Sequence, residues 1–120
     1  HWNEFENKTL LEYAVTDTQT GLFEQLFEQL HIPVTQTADV AGFITPRILS
    51  LIINEACLAL EEHVSGRAEI DTAMKLGTNY PYGPFEWCER IGAEKVCALL
   101  TKLSVTDSRY QPALQLKQKC

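Results

Sequence analysis

Residues 45–64 read TPRILSLIINEACLALEEHV, and this stretch decides the fold. Thr45 is a good N-cap, and Pro46 falls at the first helical position, where the N–H group that proline lacks is not needed. The stretch therefore predicts a helix that runs to about Val64. Its apolar residues cover far more than the stripe of about 100° that one buried face needs. We expect this helix to be buried on two sides, one of them against a partner.

Further helices are predicted after the long one. Ser65 can cap the segment AEIDTAMKL, which Gly77 would end as the residue just beyond the helix. Gly83 and Pro84 open the segment FEWCERI, which Gly92 would end in the same way. The segment AEKVCALLTKL has the spacing of a last amphipathic helix, and the polar tail after it is expected to be irregular.

The N-terminal third has a different pattern. Residues 9–16 (TLLEYAVT) and 32–35 (IPVT) predict two short strands, and residues 21–30 (GLFEQLFEQL) predict an amphipathic helix between them. Two strands alone are marginal in water, so something else must cover them. We expect a mainly α protein in which a strand–helix–strand unit, residues 1–38, precedes a helical domain, residues 39–120.

The composition excludes several classes of function. The chain has 120 residues, 45% of them hydrophobic and 22% charged, which fits one compact globular domain. A formal net charge of −6 argues against a nucleic-acid partner, since nucleic-acid binders present a basic face. No apolar run approaches the length of about 20 residues that spans a bilayer. We expect a soluble cytoplasmic protein that binds neither nucleic acid nor membrane.

The cysteines and histidines give no sign of a metal site. The four cysteines form no C-x-x-C pair, and the histidines are not at ligand spacing from them. We therefore expect no bound metal and reduced thiols.

Two strings carry a resemblance to a known family. Residues 42–56 read GFITPRILSLIINEA, and residues 70–87 read IDTAMKLGTNYPYGPFEW. Both are similar to signatures of the C-terminal domain of the 3-hydroxyacyl-CoA dehydrogenases. The match covers roughly residues 40–100 without gaps, and residues 1–38 resemble the last part of the family's Rossmann-like nucleotide-binding domain.

The resemblance implies an activity, a cofactor and a partner. The parent enzyme would oxidise the 3-hydroxyl of an acyl-CoA substrate with NAD, in fatty-acid metabolism such as beta-oxidation, and would act as a homodimer. The chain contains no G-x-G-x-x-G motif, so we expect it to bind no cofactor by itself and to be inactive alone. The alternative is a non-catalytic helical dimerisation module descended from such an enzyme.

The resemblance also implies a catalytic pair. In the family a His acts as base on the 3-hydroxyl, and a Glu on the strand orients it. Glu12 matches the Glu position, and His1 lies one residue nearer to it than the family pattern has the His. His1 is therefore either the catalytic base or a chain-end or tag residue.

Five residues are expected near the substrate. Pro46 stands where the family has an Asn that helps to hold the substrate's carbonyl end, and proline has no side-chain donor. Either Thr45 or Ser50 substitutes for that amide, or the substrate binds differently. Tyr82 and Pro84 belong to a loop that the resemblance places against the acyl chain, although the loop also reads as a rigid turn.

Three further polar residues need an explanation. Arg47 begins the long helix, where the helix dipole disfavours a positive charge, so we expect a salt bridge to Asp71 or Glu86 rather than a ligand phosphate. Asn54 and Glu55 interrupt the apolar helix and must either face water or be paired.

Overall fold

The protein is mainly α-helical, as the sequence predicts. The computed structural model describes residues 10–15 and 20–118. Its elements, in chain order, are β1 (Leu11–Tyr13), α1 (Thr20–Gln29), β2 (Val34–Gln36), α2 (Thr45–Glu61), α3 (Arg67–Thr78), α4 (Pro84–Ile91), α5 (Ala93–Ser104), a 3₁₀ turn (Ser108–Tyr110) and α6 (Leu114–Lys117).

The two strands pair in parallel, with Leu11 opposite Val34, and α1 crosses between them. The aromatic rings of Tyr13 and Phe27 lie 5.6 Å apart, so α1 packs on the strand through Phe27. Both strands are shorter than the sequence predicts, since the described ladder holds three residues on each side.

The core lies between α2, α4, α5 and α6. Its fully or almost fully buried side chains come from all four helices: Ile53, Phe85, Val96, Leu100 and Leu116. The buried residues of α2 lie on one side only: Ser50, Ile53, Asn54, Ala56 and Cys57. Of its other residues, Leu51 and Leu58 are partly buried against the core, whereas Ile44 and Ile48 are exposed among the described residues. The full burial on two sides that was expected of α2 is therefore not seen in the described part of the chain.

Four predicted helix boundaries are wrong by one to three residues. The long helix α2 ends at Glu61 rather than near Val64, and Gly66 rather than Ser65 is the cap position of α3. Ile44 rather than Thr45 is the cap position of α2, because a side chain from β1 satisfies the helix start. Gly77 lies inside α3 instead of ending it, and Asn79 takes the left-handed position that ends the helix (φ 56°). Asn is the non-glycine residue that best tolerates this conformation. The limits predicted for α4 are confirmed, with Gly83 before it and Gly92 after it.

The tail was predicted to be irregular, and this is wrong. The Asn54 side chain holds it at two points: Nδ2 donates to the Gln111 carbonyl (2.9 Å) and Oδ1 accepts from the Ala113 N–H (2.8 Å). Tyr110 and Leu116 are buried against the helices as a result. Asn54 is therefore paired, as expected of a polar residue in an apolar helix.

The cysteines correct a second expectation. Cys57 and Cys88 are buried thiols, but Cys97 is disulfide-bonded. Apolar surroundings predict that a thiol is buried, but they do not predict whether a second sulfur lies within bonding distance. Within the described residues no helix is long and apolar enough to cross a membrane.

Candidate functional site

The site begins at a strained turn before α2. Gly42 has φ 77° and Phe43 has φ 44°, a left-handed conformation that is uncommon for a bulky residue. A Cβ atom on Gly42 would lie 2.8 Å from Cδ2 of Leu99, so the turn has room only for glycine. Such strain persists where the surroundings hold it, and it is typical of functional positions.

The turn presents the start of α2 to a carboxylate from β1. Glu12 accepts hydrogen bonds from the N–H groups of Ile44 (2.9 Å) and Thr45 (3.0 Å) and from the Thr45 hydroxyl. A helix start has N–H groups without intrahelical partners, and its dipole favours negative charge. Pro46 comes next and has no N–H to satisfy. Glu12 therefore caps α2 and fastens the strand–helix–strand unit to the helical domain.

The capped helix start leaves few donors for a substrate carbonyl. The Thr45 hydroxyl proton points to Glu12, and Pro46 has no side-chain donor. Ser50 has 0% of its surface exposed, and its hydroxyl has no hydrogen-bond partner among the described residues. Thr45 and Ser50 were expected to replace the family's Asn amide. Neither of them therefore offers the substrate carbonyl a free, exposed donor.

The proposed catalytic pair is only half described. Glu12 is on β1, but His1 lies outside the described residues. The neighbouring phenol can be assigned a protonation state, because burial and then the Glu24 carboxylate raise the pKa of Tyr13 above its ordinary value of 10.0. Tyr13 is thus a neutral hydroxyl at neutral pH and is not a base.

Arg47 has a different partner from the two predicted for it. Its Nη2 donates to the Tyr110 hydroxyl (2.7 Å), and its guanidinium carbon lies 5.5 Å from the centre of that ring. The two predicted partners are used elsewhere: Asp71 accepts from the Phe85 N–H, and Glu86 pairs with Lys75. Arg47 is therefore a cation without a carboxylate partner in the described part of the chain.

A mostly apolar groove runs beside this arginine. It has a volume of about 290 Å³ and opens along the first two turns of α2. Its walls come from the loop before α2, from α2 and from the tail: Thr37, Ala38, Val40, Phe43, Ile44, Arg47, Ile48, Leu51 and Tyr110.

The other two residues expected near the acyl chain lie elsewhere. Tyr82 lines a second cavity of about 590 Å³, together with Lys75, Pro81, Glu86, Glu89 and Arg90. The Arg90 guanidinium lies over the Tyr82 ring, 3.9 Å from its centre, and four of the six lining residues are charged. Pro84 is buried in the core. The structure therefore does not bring Tyr82 and Pro84 together with Thr45 and Pro46.

The sequence between β1 and α1 does not fit the pyrophosphate of a dinucleotide. A dinucleotide pyrophosphate binds where a glycine-rich link joins a strand to a helix. The link between β1 and α1, residues 14–19, contains no glycine and does contain Asp17, whose charge would oppose a phosphate.

The Glu12 cap is the feature that sequence reasoning missed. Glu12 and Thr45 are 33 positions apart, and no local pattern links a strand residue to a helix start so far along the chain. The arginine–tyrosine contact was missed for the same reason, since Arg47 and Tyr110 are 63 positions apart.

The fold and the capped helix define a class: a helical domain that follows a Rossmann-like strand–helix–strand unit. Comparison with known sequences then gives the family. The family model described as "3-hydroxyacyl-CoA dehydrogenase, C-terminal domain" matches residues 42–120, so the chain belongs to the 3-hydroxyacyl-CoA dehydrogenase family.

Individual relatives agree with this assignment. The 3-hydroxyadipyl-CoA dehydrogenase of Escherichia coli (strain K12) is 42% identical over 88 residues, which are 72% of this chain and 18% of that protein. The human mitochondrial hydroxyacyl-coenzyme A dehydrogenase is 43% identical over 83 residues, covering 67% of this chain and 26% of the relative. The chain thus spans well under half the length of these enzymes.

A solved structure supports the fold over almost the whole chain. The crystal structure of (S)-3-hydroxybutyryl-CoA dehydrogenase from Ralstonia eutropha superposes with a TM-score of 0.85 at 32% identity, covering 93% of this chain and 42% of that one. The chain corresponds to the C-terminal domain of these dehydrogenases, preceded by a short Rossmann-like piece.

Proposed function

We propose that this chain is the dimerisation and acyl-substrate part of an NAD-dependent 3-hydroxyacyl-CoA dehydrogenase of fatty-acid metabolism. The Glu12–Thr45 contact carries the proposal, because it joins the strand unit to the helical domain where the family holds the substrate's carbonyl end. In the full enzyme Glu12 would orient the catalytic His, and residues other than these would hold NAD, which would supply the oxidising chemistry. The division into residues 1–38 and 39–120 is part of the same proposal.

In this proposal the chain's own residues act by positioning. Glu12 holds the first turn of α2, and the strained turn at Phe43 fixes the direction in which that turn points. The open apolar groove beside Arg47 offers an apolar surface next to the helix start, where the acyl part of a substrate could lie. The missing element is a donor for the thioester carbonyl, since Pro46 replaces the family's Asn.

The sharpest test restores that donor. With Pro46→Asn, acetoacetyl-CoA should bind about fivefold more tightly, because one hydrogen bond contributes about 1 kcal/mol. Titration calorimetry measures the affinity, and Pro46→Ala is the control that removes the ring without adding a donor. If Pro46→Asn and Pro46→Ala bind acetoacetyl-CoA equally, the helix start is not where the carbonyl is held.

A second candidate function is the non-catalytic dimerisation module. The observation that favours it is the absence of an exposed donor at Thr45, Pro46 and Ser50. A thermal-shift titration of the unmodified protein separates the two. Stabilisation by acetoacetyl-CoA supports the enzyme part, whereas a folded dimer that shifts with neither acetoacetyl-CoA nor NAD supports the module.

We also propose a homodimer in the cytoplasm. The exposed Ile44 and Ile48 near the start of α2 support the dimer, since an isologous interface would cover them. The Cys97 disulfide weighs against a reducing compartment, where disulfides are uncommon. The compartment can be tested by alkylating the protein in rapidly quenched cells. If Cys97 reacts as a free thiol there, the result supports the cytoplasm.

A further inference from the structure

The side chain of Thr45, and not only its backbone, contacts the carboxylate of Glu12. The Thr45 hydroxyl and N–H both donate to Oε1, the N–H at 3.0 Å, and the Ile44 N–H donates to Oε2 at 2.9 Å. The hydroxyl is thus a third donor, beside the two that the backbone of the helix start supplies. A valine at this position would keep the backbone contacts and lose the third donor.

The three donors favour the ionised form of Glu12. A backbone N–H can only donate, and the two N–H groups reach different oxygens of the carboxyl group. An ionised carboxylate accepts freely at both oxygens, whereas a protonated carboxyl group gives up one acceptor position to its own proton. The Thr45 hydroxyl adds a further hydrogen bond to the charged form. Glu12 is therefore held as an anion at the start of α2.

The same donors fix the direction of the carboxylate plane. The last torsion of a glutamate side chain has broad minima, so a half-buried carboxylate turns unless it is held. Thr45 is β-branched and has few side-chain rotamers, and Pro46 after it has a fixed φ, so the donors themselves stay in place. Contacts to both oxygens from one helix start therefore select one orientation of the carboxylate.

The Thr45 hydroxyl cannot serve a substrate carbonyl at the same time. A hydroxyl has one proton to donate, and this proton points to Oε1 of Glu12. A thioester carbonyl can only accept hydrogen bonds, so it would have to compete with the carboxylate for that proton. The carboxylate keeps the proton, because a charged acceptor makes the stronger hydrogen bond.

We propose that Thr45 is a positioning residue of the catalytic pair, whose hydroxyl keeps Glu12 ionised and turned so that it orients the catalytic His. The inference rests on the proposed function, and it assigns Thr45 to the catalytic pair instead of to the substrate carbonyl. When the His takes the proton of the substrate's 3-hydroxyl, its imidazole becomes a cation. A carboxylate that is already ionised and fixed in direction stabilises this cation without first having to turn.

Removal of the hydroxyl tests this role in the complete dehydrogenase. Thr45→Val keeps the branched shape and should lower kcat about fivefold, the usual effect of one hydrogen bond, with KM for 3-hydroxybutyryl-CoA unchanged. Thr45→Ser retains a hydroxyl and should restore most of kcat. The matched control is Thr72→Val, since the Thr72 hydroxyl donates within α3 to the Ala68 carbonyl (2.8 Å), and it should change neither constant.

A double-mutant cycle tests whether Thr45 acts through Glu12. Glu12→Gln alone should lower kcat, because it removes the charge that supports the His. Thr45→Val added to Glu12→Gln should then lower kcat no further, since the carboxylate on which the hydroxyl acts is gone. Steady-state kinetics with NAD gives kcat and KM for each protein, and circular dichroism checks that each one folds. If Glu12→Gln does not fold, the separate effects of Thr45→Val on kcat and KM decide.

The outcomes separate this inference from the proposed function. A second fivefold fall of kcat in the double variant would mean that Thr45 acts independently of Glu12, which would overturn the inference. A raised KM with unchanged kcat in Thr45→Val would place Thr45 on the substrate and would overturn it too. A folded, unmodified enzyme that does not oxidise 3-hydroxybutyryl-CoA would overturn the proposed function and this role of Thr45 with it.

Discussion

Glu12 is the residue on which the arrangement of the site depends most. One carboxylate satisfies two backbone N–H groups and a hydroxyl at the start of α2, and it does so from a strand of the other unit. The position of the long helix relative to the strands is thereby set by a charge-assisted contact.

Removal of this cap should destabilise the protein. We expect Glu12→Ala to lower the free energy of unfolding by about 1 kcal/mol, the usual effect of losing a helix cap. Urea unfolding followed by circular dichroism measures it. The control is Glu28→Ala, an acidic residue exposed on α1, which should be neutral. Equal effects of the two substitutions would mean that the cap does not contribute.

Asn54 is the residue that orders the tail. Asn54→Ala leaves the Gln111 carbonyl and the Ala113 N–H without partners in a site that is 1% exposed, so we expect a loss of about 2–4 kcal/mol in unfolding free energy. Gln111→Ala is the matched control, because only the main-chain oxygen of Gln111 takes part. Limited proteolysis should also cut the tail faster in Asn54→Ala, and an unchanged tail would contradict the assignment.

The lowered pKa of Glu86 predicts that the stability of the protein depends on pH. The hydrogen bond from Lys75, and then that from the Gly83 N–H, lower the pKa of Glu86 below its ordinary value of 4.5. A folded-state pKa below the unfolded one stabilises the protein above the unfolded value, and this is lost as the pH falls through the folded value. The unmodified protein should therefore have a larger free energy of unfolding than Glu86→Gln at pH 7, and this difference should vanish at acidic pH. When Lys75→Met is also present, the difference in unfolding free energy between Glu86 and Glu86→Gln should be smaller at pH 7. Urea unfolding at pH 7 and at acidic pH measures these differences.

At the scale of elements, the sequence predicted the helices better than their ends. The apolar period of α2 and the glycine and proline around α4 identify both helices, because these signals are local. The ends of α3 were not predictable in this way, since Gly77 and Asn79 can both adopt the left-handed conformation and only the packing selects Asn79. The tail was missed because Asn54, more than fifty residues earlier, supplies the contacts that order it.

Two glycine substitutions test these element boundaries. Gly42→Ala should lower the unfolding free energy by about 1–3 kcal/mol, because it adds strain at φ 77° and a contact with Leu99. Gly77→Ala should raise it by about 0.5–1 kcal/mol, because this glycine is inside α3 with nothing within 4 Å of an added Cβ. If Gly77→Ala were destabilising, Gly77 would be ending the helix, and thermal unfolding of both variants decides this.

At the scale of the whole molecule, the family and fold were predictable and the site was only partly so. The strings around Gly42 and Gly77 are specific enough to identify the family, and the match to residues 42–120 confirms it. The site residues stay predictions, because Tyr82 and Thr45 line different parts of the surface and their use depends on a ligand. In the described part of the chain Ile44 and Ile48 stay exposed near the start of α2, so a partner that covers them remains a prediction.

The mass of the purified chain in solution tests most directly whether a second copy of the chain covers α2. Light scattering at micromolar concentration should give twice the chain mass of 13.6 kDa, because two copies cover the exposed isoleucines of α2. A folded protein that stays at 13.6 kDa at every accessible concentration would contradict the claim that α2 is built to lie between its own core and a second subunit.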